Sequence, residues 1–504
     1  MLICTLSCIL AVSGCFILLL TQRILRTFGP VTFGQILIHI NMPRELIPED
    51  FFKRLLETGW KSYLIIAFLL LYCLFNILLC NNSFSSHCSN ILKICLETLS
   101  LDKCLAFLYT RLQVVLLFIS GLIFAFALIF CLIKLDILGS LAARSRTSQL
   151  IDEFYADNNM HDFMIVNDNG KTVEKADKPN LILIVGESLE STFADSSLFK
   201  ENLLNELTNY KRTGNHIDDL HMVRGCDCTI TALYAIQYGL PVLYFSSYNG
   251  DPLAKNPFSG HCISVFDVLN ANGYSTSHIQ GANLRFASHD VLFKSIANAD
   301  VLGLEEFSKD LYPNRRRWGL WDSDLFEAAK KKITDMRQNG PFALSILTLD
   351  THFDNELQPG NESKYNGDIR DIMRLQSRLI DKFIKWVQQS EFGNNTVIVI
   401  VGDHYMMTQK VGNVSLASED SRRIFNVILN SKAKSQIPTD RRAAVFDIAP
   451  TILEAMGFDW PSHSLGIGRS LYSNQPTALE QYGLKGWDKE AQKRSPKYIS
   501  IISP

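Results

Sequence analysis

The sequence lacks an excess of either charge: 49 lysine and arginine residues stand against 51 aspartate and glutamate residues, with no basic run. Nucleic acid attracts proteins that carry a concentrated positive field, so we expect no nucleic-acid partner. Cysteine is scarce after residue 131, where only Cys226, Cys228 and Cys262 of the twelve occur. A disulfide from Cys262 to either of the other two and three free thiols are equally compatible with these spacings.

Charge is also missing from three long apolar runs, 2–20, 63–80 and 114–135, until Lys134 near the end of the third. Each run is about long enough to cross ~30 Å of hydrocarbon as a helix. A buried helix of a soluble core is the alternative, but the absence of charged residues from the three runs before Lys134 argues against it. The sequence therefore predicts a membrane domain over residues 1–135 with about three transmembrane helices.

The orientation of these helices is not settled by charge. Residues 21–61 carry six basic side chains and residues 81–112 carry three. The positive-inside rule would place the first loop, and with three spans everything after residue 135, in the cytoplasm. The alternative is that residues 51–63 form an interfacial amphipathic helix, which removes them from the count.

The composition changes after residue 135. Residues 136–178 combine a polar, mostly helical segment with the turn-rich stretch "NDNGKTVEKADKPN", and we interpret them as a stalk and linker. A globular domain is predicted over 179–485, followed by a polar tail over 486–504.

Three near-continuous apolar runs in the globular domain, "LILIVGE", "FALSILTLDTH" and "TVIVIVGDH", have the pattern of strands buried on both faces of a parallel sheet. Helical patterns lie between them, so the predicted fold is an α/β sandwich. Ligands of such sheets collect at the carboxyl ends of the strands. Polar residues follow the strands there: Glu187, Asp350, His352, Asp403 and His404. They predict a Zn²⁺ or Mn²⁺ site, unless each is an ordinary strand-end residue that meets solvent.

A candidate nucleophile lies in "GCDCTITALYAIQYGLPV", residues 225–242. The spacing predicts a helix over 230–238, which Gly239 ends and Pro241 cannot continue. Thr229 is then predicted to be the N-cap, a common role for threonine. The same hydroxyl would face free backbone N–H groups that suit a phosphate, and a bound metal would activate it as a nucleophile.

These motifs occur in a recognisable order: "LIVGESLE", "CTITALYAIQYGLP", "QGANLRF", "WGLWD", "LTLDTH" and "GDH". Together, over about residues 180–470, they resemble the phosphoglycerol transferases of the alkaline phosphatase superfamily. The nearest likeness is to the transferase of osmoregulated periplasmic glucans, and lipoteichoic acid synthase is a more distant one. The resemblance implies transmembrane helices followed by an alkaline phosphatase-like α/β sandwich with a mostly parallel sheet.

The resemblance also implies roles for individual residues. It implies that Glu187, Thr229, Asp403 and His404 hold one divalent metal ion, Mn²⁺ or Zn²⁺, with Mg²⁺ as a third choice. Thr229 would be the nucleophile, and His352 would lie beside the transferred phosphate as a second catalytic residue. Substrate-binding positions carried over in the same way are Asn283, Arg285, Trp318 and His352.

The implied activity moves phosphoglycerol from phosphatidylglycerol to a cell-envelope glycan through a phospho-threonine intermediate. The implied location is the bacterial cytoplasmic membrane, with several spans and the catalytic domain outside the cytoplasm, and we favour it over the charge count. One alternative is a phosphoethanolamine transferase that modifies lipopolysaccharide. Another is a membrane-anchored binding protein with a dead enzyme fold.

Two departures limit the resemblance. Lipoteichoic acid synthases carry Trp and Arg where this chain has Ala287 and His289, so that branch's headgroup contacts do not transfer. The soluble part also has no Cys-x-Pro-x-Arg motif to generate formylglycine, which argues against sulfatase chemistry.

Overall fold

The computed structural model describes residues 2–28, 71, 102–135, 137, 146–166, 171–243, 262–296, 299–316, 318–352, 368–408 and 410–502. The chain divides into two units. The smaller contains the described residues up to 137, and the larger contains those from 146 onward.

The smaller unit contains helices α1 (Leu2–Phe28) and α2 (Asp102–Lys134). Within them, Leu6–Leu25 and Arg111–Lys134 are long and apolar enough to cross a membrane. They coincide with the first and third predicted spans. The second, 63–80, lies outside the described residues except for Leu71, as does the predicted interfacial helix over 51–63.

Helices α1 and α2 run parallel. The Ser7 and Ser120 hydroxyls are hydrogen-bonded at 2.9 Å, and Gly14, further along α1, faces the backbone of Phe124, further along α2. A Cβ atom on Gly14 would lie 2.8 Å from the Phe124 Cα, so glycine permits the close approach.

The larger unit is an α/β domain. Its strands are β1 (Met164–Ile165), β2 (Asn180–Gly186), β3 (Asp219–His221), β4 (Ser275–Gln280), β5 (Asp300–Leu302), β6 (Phe342–Leu347), β7 (Thr396–Gly402), β8 (Lys410–Val411), β9 (Val414–Ser415), β10 (Asn426–Leu429), β11 (Arg442–Ala444), β12 (Phe458–Asp459), β13 (Ser464–Leu465) and β14 (Gly468–Arg469). Its helices are α3 (Leu150–Phe154), α4 (Ser196–Phe199), α5 (Asn205–Tyr210), α6 (Thr229–Tyr238), α7 (Val265–Ala271), α8 (His289–Lys294), α9 (Asp322–Met336), α10 (Ile369–Gln389), α11 (Ile448–Ala455), α12 (Ala478–Ala491) and α13 (Pro496–Ile502).

The central sheet has six strands in the order β10-β7-β2-β6-β4-β5. Only β10 is antiparallel to its neighbour, which confirms the mostly parallel sheet. The three predicted strands β2, β6 and β7 are adjacent, and every residue in them is buried. Helices cover the sheet with their apolar sides; α10, for example, buries Ile372, Ile380 and Phe383 at helical spacing.

Two segments differ from the predicted domain limits. Residues 146–166, assigned to the stalk, pack into the α/β domain: α3 buries Leu150 and Phe154, and β1 pairs with β12. Residues 486–504 were interpreted as a polar tail, yet they complete α12 and form α13, which bury Trp487 and Tyr498. The polar tail was therefore wrong, because the few large apolar residues among the charges face the core.

Three cysteines lie in the described part of the α/β domain. Cys226, Cys228 and Cys262 form no disulfide in the structure, which favours the second of the two alternatives left open by their spacing.

Candidate active site

The site is built where strands β2 and β7 end together. Gly186 and Gly402 are register partners, so Glu187 and Asp403 leave the sheet side by side. Glycine is required at 402, because a Cβ atom there would lie 1.9 Å from the backbone oxygen of Leu189. The pairing of two parallel strands thus places two carboxylates at one point.

The turn after β2 fixes these two carboxylates. Ser188 has a left-handed backbone with φ 53°, uncommon for a residue other than glycine. In this conformation its backbone N–H donates to Asp403 Oδ1 at 2.8 Å and its hydroxyl donates to Glu187 Oε1 at 2.8 Å. The backbone N–H of His404 donates to the same Asp403 oxygen at 2.7 Å. Strain at Ser188 is thus offset by contacts that orient both acids.

The His404 imidazole is the third member of the group. Its Nδ1–H donates to the backbone oxygen of Tyr405 at 2.8 Å, which leaves a lone pair on Nε2. Nε2 lies 3.6 Å from Glu187 Oε1 and 3.4 Å from Asp403 Oδ2. All three side chains are buried, and their ligand atoms lie within 4.8 Å of one another.

Thr229 joins this group from helix α6. Its Oγ1 donates to Glu187 Oε2 at 3.3 Å and lies 3.2 Å from His404 Nε2. The predicted N-cap role of Thr229 is wrong: Cys228 is the N-cap and Thr229 is the first helical residue. The capping contacts come from Thr231, whose hydroxyl accepts from the Cys228 N–H at 3.1 Å and donates to the Cys228 oxygen at 2.9 Å.

These four residues fit a divalent cation. Burial raises the pKa of Glu187, and the charge of Asp403 raises it further against the opposing effect of His404. Asp403 Oδ2 is buried and accepts no hydrogen bond from any described residue. Two carboxylates at this depth require positive charge, and oxygen and imidazole donors suit Zn²⁺ or Mn²⁺. Together they form the candidate metal group, defined as Glu187, Thr229, Asp403 and His404.

His352 and Trp318 form an aromatic pair near this group. Their ring centroids are 4.9 Å apart, and Phe286 packs edge-on against Trp318 at 5.3 Å. The charge of His352 also lowers the pKa of Glu187, so this imidazole belongs to the same electrostatic environment.

The structure does not bring Asn283 and Arg285 to the candidate metal group. The Asn283 side chain donates to Glu305 and accepts from the Arg285 backbone N–H, while the Arg285 side chain is exposed. Among described contacts neither side chain meets a residue of the group. Their substrate-binding role stays a prediction.

Asp350 was expected in the metal site, but it pairs with Asp322 instead. It forms a reciprocal latch with Asp322: Asp350 accepts from the Asp322 N–H at 3.2 Å, and Asp322 accepts from the Asp350 N–H at 3.0 Å and the Leu349 N–H at 2.7 Å. Arg316 pairs with Asp350 at 3.3 Å. Asp350 is thus absent from the metal group, and sequence reasoning missed Asp322 although "WGLWD" ends on it.

A mostly parallel sheet with acidic and imidazole groups at its carboxyl edge, and a helix that brings a hydroxyl to them, is the arrangement of an alkaline phosphatase-like α/β protein. The sulfatase family model matches residues 179–458, more than half of the chain. The chain therefore belongs to the sulfatase family.

The chain is also similar to phosphoglycerol transferase I of Escherichia coli O6:K15:H31 (strain 536 / UPEC). It is 32% identical over 309 residues, which cover 59% of this chain and 39% of the relative. The same protein from E. coli strain SMS-3-5 matches to the same extent. The chain thus spans about two fifths of the length of the curated relatives it matches.

Two solved structures share the fold. An alkaline phosphatase superfamily protein from Vibrio parahaemolyticus has a TM-score of 0.50 at 18% identity, over 65% of this chain and 78% of that one. The lipoteichoic acid synthase LtaP from Listeria monocytogenes has a TM-score of 0.50 at 13% identity, over 65% of this chain and 82% of the other.

Proposed function

We propose that this protein is a membrane-anchored transferase that moves phosphoglycerol from phosphatidylglycerol to a cell-envelope glycan. The observation that carries the proposal is the position of the Thr229 hydroxyl, 3.3 Å from Glu187 and 3.2 Å from His404. A hydroxyl becomes a nucleophile when a neighbouring base or metal lowers the cost of its deprotonation. The identity of 32% to proteins named phosphoglycerol transferase I supports the headgroup.

The reaction takes two displacements. Thr229 Oγ attacks the phosphorus of the donor, an O–P bond forms, and the bond from phosphorus to the diacylglycerol oxygen breaks. A glycan hydroxyl then attacks the phosphoglyceryl-threonine, forms a new O–P bond and releases the Thr229 oxygen. A bound divalent cation would supply charge neutralisation and a lower pKa for the Thr229 hydroxyl.

The chain's own groups have separate tasks in this reaction. Helix α6 spans Thr229–Tyr238, and the free N–H groups of its first turn favour an anionic phosphate beside Thr229. We assign His352 the proton transfer to the leaving oxygen, or charge stabilisation on the phosphate. Trp318, which packs against it, would contact the headgroup.

The parallel helices support an extracytoplasmic domain. If α1 and α2 both cross the bilayer in the same direction, α2 ends on the side of the membrane opposite to Met1. Met1 and the α/β domain then lie on opposite sides of the membrane. With Met1 in the cytoplasm of a bacterium, the catalytic domain is outside the inner membrane, where the glycan acceptor is.

Mass spectrometry of the Thr229 peptide tests the chemistry. The full-length protein is incubated with native membranes and digested, and a phosphoglycerol adduct is expected on Thr229. A phosphoethanolamine adduct would support the alternative headgroup. An unmodified peptide from a preparation that transfers phosphoglycerol would contradict the covalent mechanism; Thr229→Ala is the control for adducts elsewhere in the peptide.

Protease treatment tests the topology. A protease added to intact spheroplasts should cut the domain after residue 135. Protection of that domain until the membrane is breached would restore the orientation that the positive-inside rule indicates.

A further inference from the structure

The turn after β2 carries a second carboxylate, Glu190, three residues beyond Glu187. Glu190 is fully buried, and it binds Arg422 through two hydrogen bonds, Nε to Oε2 at 2.7 Å and Nη2 to Oε1 at 2.8 Å. Arg422 is itself only 4% exposed. The two residues form a buried, bidentate ion pair, and Glu190 lies on the same turn as Glu187 of the candidate metal group.

The ion pair is attached to the segment that follows His404. Arg422 Nη2 also donates to the Met406 oxygen at 2.8 Å, and the guanidinium lies 4.9 Å from the centre of the Tyr405 ring. The Tyr405 hydroxyl donates to the Arg422 oxygen at 2.7 Å. Tyr405 and Met406 are thus held through hydrogen bonds and a cation–π contact.

Tyr405 in turn orients His404. Its backbone oxygen accepts the Nδ1–H of His404, and this bond determines which imidazole nitrogen faces Glu187 and Asp403. A contact path therefore runs from Glu190 through Arg422 and Tyr405 to the His404 ring. The turn after β2 thus has two roles. Its first residue, Glu187, belongs to the metal group, and Glu190 holds the segment that carries Asp403 and His404.

We propose that the Glu190–Arg422 ion pair positions His404 and thereby sets the affinity of the site for its divalent cation. This inference rests on the proposed metal site. A buried ion pair often adds little to stability compared with apolar residues of similar volume, so stability alone is a weak reason for it. Partners that orient a ligating histidine typically contribute about 10–100-fold to metal affinity.

The experiment measures metal affinity directly. The full-length protein in detergent is stripped with a chelator and titrated with Mn²⁺, and free Mn²⁺ is followed by electron paramagnetic resonance. The double variant Glu190→Leu/Arg422→Met removes both charges together, because a single apolar substitution would leave one buried charge unpaired. We expect a folded protein whose Mn²⁺ affinity is about 10–100-fold weaker.

A control is the Arg441–Glu480 ion pair, which is also bidentate, at 2.7 and 3.3 Å. Arg441 is buried, whereas the Glu480 side chain is 24% exposed. The other hydrogen-bond partners of these two side chains among the described residues lie in 442–477, and none of them belongs to the metal group. The variant Arg441→Met/Glu480→Leu should bind Mn²⁺ as the parent does. The single variants Glu190→Gln and Arg422→Lys, which keep part of the hydrogen bonding, should lose less affinity than the double variant.

The outcomes separate the inference from the proposed site. Parental Mn²⁺ affinity in the folded Glu190→Leu/Arg422→Met protein would overturn the inference, as would an equal loss in the control pair. If the double variant does not fold, parental affinity in both Glu190→Gln and Arg422→Lys would overturn it. Parental affinity in Glu187→Ala would instead show that the proposed metal site is wrong.

Discussion

Two threonines of helix α6 should respond to substitution in opposite ways. Thr229→Ala removes two long contacts, at 3.2 and 3.3 Å. Alanine has the higher helix propensity, which partly offsets this loss, so the free energy of unfolding should fall by less than about 1 kcal/mol. Thr231→Ala removes the capping contacts at 3.1 and 2.9 Å from a side chain that is 1% exposed. That loss should cost about 1–2 kcal/mol and lower the Tm by several degrees.

Headgroup transfer should respond in the opposite way, with the larger loss in Thr229→Ala. Without its nucleophile, Thr229→Ala should lose at least ~10⁴-fold in headgroup transfer, whereas Thr229→Ser keeps an alcohol and should retain measurable activity. Thr231→Ala should still transfer the headgroup below its lowered Tm. The assay follows labelled glycerol from phosphatidylglycerol vesicles to glycan, with differential scanning fluorimetry of the same preparations. An active, metal-loaded Thr229→Ala protein would refute the assignment.

Three further expectations concern the metal, a glycine and the latch. Chelation should lower the Tm of the parent, because it removes about 2.7 kcal/mol of stability if the metal had been at 100 times its Kd. It should leave the Tm of Glu187→Ala unchanged, and an equal effect on both proteins would count against the site. Gly402→Ala forces a contact of 1.9 Å with a backbone oxygen, so it should destabilise the protein and weaken Mn²⁺ binding. Gly486→Ala places the new Cβ 3.2 Å from the Tyr482 Cβ, which a shift of a few tenths of an ångström relieves, and should do neither. Asp322→Ala leaves two buried N–H groups without an acceptor, so calorimetry should show a loss of about 1–3 kcal/mol for each and kinetics a lower kcat; a normal kcat would separate the latch from catalysis.

The sequence predicted the centre of the sheet well because β2, β6 and β7 are buried on both faces and are apolar throughout. It missed β4, "STSHIQ", whose His278 and Gln280 are buried and hydrogen-bonded to each other, with His278 also bonded to Ser345 of β6. Polar residues that satisfy one another across strands have no apolar pattern to detect. His278 and its partner Ser345 are also 67 residues apart in the chain, so no local pattern links them.

The candidate site was predictable where chemistry follows directly from strand ends. Glu187, Asp403 and His404 converge because two strands end in register. The predicted N-cap role of Thr229 was wrong because the helix begins one residue earlier than expected, after Cys228 as the N-cap. Sequence patterns locate helix ends only to within a residue or two. Asp350 was misplaced because its partner Asp322 lies on a separate segment, 28 residues away.

The latch between Asp322 and Asp350 joins the segment of Trp318 to the segment of His352, and the rings of these two residues pack together. Hydrogen bonds from buried backbone N–H groups to the two carboxylates tie these segments to each other. If Trp318 reads the headgroup and His352 serves the departing oxygen, neither property can be adjusted alone. Directed evolution toward a different headgroup should then show trade-offs in turnover, with compensating substitutions within the two joined segments.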